Sequence, residues 1–251
     1  MITTISKKLS NIMRLHYLKL TFRSFIFIGA LALYIYNRIH FTGSSFNGFD
    51  ENKLVLAIIW CIFTMEMILR FIPSKFESMG CQKQFKKNYH PTSLPKDQAE
   101  ILSPLRTWIV IAAWFALNGA IGFLYYTHVF NEGILLLISL AYSVCDMICI
   151  LFFCPFQTWF MKNRCCCTCR IYNWDFAMMF TPLIFVKTLF AQSLVLISLA
   201  LLIRWEYQVH RHPEYFSEKT NSSLSCKECQ EKLCHHKTKL KSFWKREKKL
   251  S

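Results

Sequence analysis

Acidic residues are scarce in this 251-residue chain, 15 against 30 Lys and Arg, and charged residues of both signs make up only 18% of it. Glycine and proline are few as well, seven of each. So thin a polar complement excludes a disordered chain, so little glycine excludes a collagen-like one, and together they argue against most soluble enzymes. Catalytic signatures are missing too: there is no Walker phosphate loop, dinucleotide fingerprint, Gly-x-Ser-x-Gly elbow or His-Glu-x-x-His zinc helix. A transmembrane haem is disfavoured because His16, His40, His90 and His128 lie outside the apolar blocks or at their ends. The chain reads as non-enzymatic.

What is present is apolar: 53% of residues are hydrophobic, 16% aromatic, and mean hydropathy is +0.26. These residues are gathered into blocks too long for a soluble core. The sequence predicts an all-α polytopic membrane protein with five transmembrane helices at about 24–41, 54–72, 107–130, 133–154 and 176–203. A basic segment, 1–23, precedes this bundle at 24–203, and a basic tail containing Cys and His, 204–251, follows it.

The first block has a long basic lead and no small-residue cleavage pattern after it, so it reads as an uncleaved anchor. Its uncharged stretch, Ser24 to Asn37, is short, which requires Arg23 and Arg38 to snorkel to opposite headgroup layers. The third block carries no charge, and Asn131, Glu132 and Gly133 turn it into the fourth, predicting a helical hairpin. The fifth block is long enough to cross once with tilt and too short to cross twice. Trp108, Trp159, Trp174 and Trp205 fall at block ends, where indole rings seat at the membrane interface. Ala112, Ala116 and Ala120 with Gly119 form a small-residue face on the third helix that suits close packing.

Formal net charge is +15, and the excess sits between and outside the apolar blocks. The expected partners are therefore the lipid bilayer and its anionic headgroups, not nucleic acid. Residues 1–23 hold five Lys and Arg, Arg70 to Arg106 seven, and Lys162 to Arg170 three. These place the N-terminus and the loops 73–106 and 155–175 on the cytoplasmic side of a cell membrane. Five crossings then put the tail outside. Its Lys-rich end and Phe243 and Trp244 suit a segment lying on anionic lipid.

Two of the cysteine groups carry chemistry. Cys165, Cys166, Cys167 and Cys169 precede the fifth block, and Cys226, Cys229 and Cys234 follow it. Cys166 with Cys169 and Cys226 with Cys229 have the Cys-x-x-Cys spacing that lets one short turn aim two thiolates at a tetrahedral cation. His210 and His212 with Cys226, Cys229 and Cys234 form an alternative ligand set within the tail. A structural metal, expected to be zinc, is the leading reading. Topology argues against a shared site, because an odd number of crossings separates the two turns. Disulfides, acylation and a membrane thiol oxidoreductase using Cys166 and Cys169 stay open. Cys61, Cys145, Cys149 and Cys154, inside the blocks, and the lone Cys81 read as packing residues.

Glu66, Asp146 and Lys187 are the ionisable residues deepest in the blocks, and each costs at least about 2.5 kcal/mol to bury in lipid. They are expected to face one another, Lys187 neutralising Asp146 and Glu66 pairing with Arg70 one turn on. The alternative function they suggest is a small ion- or proton-coupled transporter.

Overall fold

The computed structural model describes residues 11–40, 53–73, 82–99, 104–163, 168–225 and 237. Six helices carry the architecture: α1 Asn11–His40, α2 Lys53–Phe71, α3 Pro104–Tyr126, α4 Glu132–Leu151, the short α5 Asp175–Phe180, and α6 Leu189–Arg211. Five of them, all but α5, are long and apolar enough to cross a membrane. Among the described residues there is no strand, only an isolated antiparallel bridge from Pro91 to Asn221.

Helix α1 differs most from expectation. It begins at Asn11 and runs for 30 residues, about 45 Å, so Arg23 lies well inside it. His16, Arg23, Ala30 and Asn37 recur every seven residues and are buried, as a packed helix face requires. That face lies antiparallel on α4: Tyr17 meets Phe152 at one end, and the Tyr34 hydroxyl pairs with Asn131 at the other. Asn131 also caps α4, its side-chain oxygen accepting from Ile134 N at 3.0 Å, with Glu132 favourably placed in the first turn.

The apolar block at 176–203 is not one helix. Helix α5 stops at Phe180 because Pro182 has no N–H and cannot continue the ladder; a 3-10 turn, Thr181–Phe185, follows it. The chain is then extended to Thr188, whose hydroxyl caps α6 by accepting from Ala191 N. Gln192 Nε2 donates to Val186 O at 2.6 Å, so the break is closed by side chains rather than left bare.

This broken segment runs the length of the bundle. Asp175, at its start, pairs with Arg70 near the end of α2, whereas Val186 and Thr188, at its finish, line one cavity with Glu132 and Gly133 at the start of α4. Helix α6 then returns parallel to α2: Trp60 Nε1 donates to Ser193 Oγ at 2.8 Å early in both helices, and Arg204 Nη1 donates to Phe71 O at 2.6 Å late in both. The stretch from Asp175 to Arg211 therefore goes up the bundle and back down, where the sequence reading allowed one passage.

Residues 204–225 consequently share a face with the loop 82–99. Thr92 N donates to Thr220 O, Ser222 N to His90 O, and the fully buried Asn221 side chain donates to Lys83 O and Tyr215 O. Arg170 pairs with Glu206, Trp174 Nε1 donates to the same carboxylate, and Asn173 reaches Gln84. Of the four block-end tryptophans, Trp108 and Trp159 point outward, while Trp205 is buried against Phe85 and Phe216.

The small-residue stripe on α3 does not pack within the chain. Ala112, Ala116, Gly119 and Ala120 are exposed, and the packed side of α3 carries Val110, Asn118, Ile121 and Gly122. Gly122 is the glycine this arrangement needs, since a Cβ there would lie 2.4 Å from the Phe185 ring.

Candidate functional site: a buried charge cluster beside an aromatic cavity

Arg23 is 2% exposed and sits where α1, α2 and α4 meet. Its Nη2 lies 2.5 Å from Glu66 Oε2 and its Nη1 3.1 Å from Asp146 Oδ2, and Nη1 also donates to Ser143 O at 3.0 Å. Lys19 approaches the other Glu66 oxygen at 3.9 Å, and the Phe63 ring lies 5.7 Å from the guanidinium. A second pair is adjacent in the fold: Arg70 Nη2 and Asp175 Oδ2 are 2.5 Å apart, with Arg70 over the Phe176 ring at 5.1 Å. Three carboxylates and three cations balance, which is how a low-dielectric interior retains charge.

The two expected pairings are not formed. Lys187 lies exposed in the break before α6, at the opposite end of the bundle from this cluster, and Asp146 takes Arg23 instead. Glu66 also takes Arg23, while Arg70 turns to Asp175, because neighbouring helices offer better-placed partners than the next turn of α2. Arg23 was assigned to a headgroup layer; the extra turns of α1 carry it inside. The recurrence at every seventh residue from His16 to Asn37 is the sequence signal for this, and Pro182 is the signal for the break that ends the helix begun at Asp175.

Asp146 and Asp175 border a cavity of about 300 Å³ walled by Trp114, Tyr142, Phe156 and Tyr172. Trp114 is fixed by a hydrogen bond from Nε1 to Thr181 Oγ1 at 3.0 Å and packs on Tyr142 with ring centroids 4.9 Å apart. Cys145, Cys149, Cys154 and Cys169 also line this space. Just beyond α4, a hydrogen bond from the Cys149 thiol lowers the Cys154 thiol to about 7, against the opposing effect of burial; Gln157 N adds a bond at 3.3 Å.

Of the residues read as metal ligands, Cys166, Cys226, Cys229 and Cys234 lie outside the described residues. Cys169 is buried, His210 is exposed near the end of α6, and His212 stacks on Tyr215 with Nδ1 3.3 Å from Glu214 Oε1. Among the described residues no three His, Cys, Asp or Glu side chains are placed to hold a metal ion.

The fold and this cluster define an all-helical protein with five helices long and apolar enough to span a membrane, built around interior ion pairs. Comparison with family models, curated proteins and solved structures found no match.

Proposed function

We propose that this is a small ion- or proton-coupled transporter of a cell membrane, in which Glu66 and Asp146 on their shared Arg23 form the titratable element. The observation that carries this reading is the convergence of two carboxylates from two helices on one buried guanidinium, beside a discontinuous helix. Ionisable residues held inside an apolar helical bundle commonly mark proton or ion paths. Protonating either carboxylate would unbalance the cluster and weaken the hold of α1 on its neighbours. Lys187, exposed in the break, has no part in this path.

The charge distribution supports an orientation. Among the described Lys and Arg, Arg38, Lys53 and Lys187 are those that belong to the end of the bundle away from the loops. The loop face therefore lies toward the cytoplasm, where its Lys and Arg meet anionic headgroups. The test is proton movement in vesicles holding the purified protein and a pH-sensitive dye. Glu66→Gln with Asp146→Asn should abolish it and Lys187→Met should not; equal movement by all three proteins would sink the proposal.

A structural zinc remains a second reading because of one observation: Cys169 lines a cavity of about 340 Å³ with Phe216, Ser217 and Lys219. The two Cys-x-x-Cys turns then flank segments that share a face, which removes the topological objection to a joint site. Purified protein should carry zinc that Cys226→Ser with Cys229→Ser releases; metal-free wild-type protein would refute this reading.

A further inference from the structure

We propose that the cavity between α3, α4 and α5 binds an organic monocation, a protonated or quaternary ammonium on an apolar body. Among the described residues the charged ones lining it are Asp146 and Asp175, both acids; their partners Arg23 and Arg70 are not among the lining residues, and the Lys237 ammonium donates to the main-chain O of one lining residue, Cys149, at 2.7 Å. Asp175 is 5% exposed, and although its Oδ2 is held by Arg70, its Oδ1 is buried without a hydrogen-bond partner in the structure. A buried carboxylate oxygen left so is costly; a protonated ammonium placed in the cavity supplies an N–H donor, and a quaternary ammonium, which has none, offsets the oxygen's charge.

The walls select the kind of cation. Trp114, Tyr142, Phe156 and Tyr172 offer aromatic rings, and aromatic walls attract alkylammonium groups through the negative face of the ring. An inorganic cation needs several oxygen ligands, which walls this apolar cannot provide. An organic cation brings its own carbon surface and buries it against those rings. A volume of about 300 Å³ is at the small end of ligand pockets, so the body is compact, a single ring or short alkyl group with its ammonium.

This site deepens the transport reading and rests on it only for the claim that the cation is what moves. Binding is therefore measured without a gradient, by equilibrium dialysis of benzyltrimethylammonium against purified protein in detergent. Neopentylbenzene, the uncharged isostere with carbon in place of nitrogen, is the competitor. We expect one cation bound per chain, and at least tenfold weaker competition from the hydrocarbon.

Arg70→Met with Asp175→Asn removes the carboxylate without leaving a buried charge and should weaken binding at least tenfold, with folding checked by thermal melting. Tyr142→Leu leaves every charge in place and should weaken it several-fold. The site is refuted if the hydrocarbon displaces the cation equally well, if no cation binds, or if both variants bind as wild type. Binding without proton movement in vesicles would instead refute only transport, and proton movement without binding would refute only the cation site.

Discussion

Arg23 of α1 and Glu66 of α2 are joined by an ion pair of 2.5 Å inside the bundle, and the same guanidinium holds Asp146 of α4 at 3.1 Å. One side chain thus ties three helices together. Removing it alone leaves Asp146 without its ion-pair partner and Glu66 with only the 3.9 Å approach of Lys19, so Arg23→Met should cost about 3–5 kcal/mol. Adding Asp146→Asn should restore much of that loss, because Lys19 with Glu66 and Arg70 with Asp175 then remain as balanced pairs. Lys187→Met, at an exposed site, should stay within about 0.5 kcal/mol of wild type. Thermal unfolding in detergent decides it, and an Arg23→Met protein as stable as its parent would contradict the pairing.

The bonds between the segments 82–99 and 212–225 predict a common side for the loops and the tail. A reporter fused after Ser251 and an epitope placed in 82–99 should become accessible together when the membrane is opened. Opposite accessibility would mean that the segment from Asp175 to Thr188 does not traverse the bundle.

Gly122 and Gly119 are one turn apart on α3 and should respond oppositely to a side chain. At Gly122 the new Cβ meets the Phe185 ring, so Gly122→Val should destabilise by about 1–3 kcal/mol. Gly119 has open space around it, and Gly119→Ala should gain about 0.5–1 kcal/mol from helix propensity. Equal effects in melting experiments would place the close approach elsewhere.

Among the thiols that line the cavity between α3, α4 and α5, Cys154 should react first with iodoacetamide as pH rises. Its pKa lies below the ordinary thiol value, so the reactive thiolate forms above about pH 7 rather than near 9. Cys149→Ala deletes the main stabilising hydrogen bond and should move the midpoint of alkylation upward. A midpoint unchanged by that substitution would show that the two thiols do not interact.

Much of the bundle was legible because the length and apolar composition of a helix are written residue by residue. The uncharged run on α3 and the Asn131 turn into α4 announce a hairpin without reference to anything distant. Glu66 and Asp146 likewise stand out as charges in apolar blocks. Their partners were not legible, because pairing depends on which helices become neighbours. Asp146 is 123 residues from Arg23, and nothing local distinguishes that choice from Lys187.

Composition and periodicity by themselves determined that the chain is helical, that long apolar helices dominate it, and that a few ionisable residues are buried, since each follows from the free energy of moving a local segment out of water. The tertiary structure decided the course of the segment from Asp175 to Thr188, the packing of residues 212–225 on the loop 82–99, and the capture of Glu66 and Asp146 by Arg23. A broken helix is stable only where neighbours satisfy its exposed backbone groups, and a buried charge only where another helix brings its counterion. Both conditions are set by packing between distant parts of the chain.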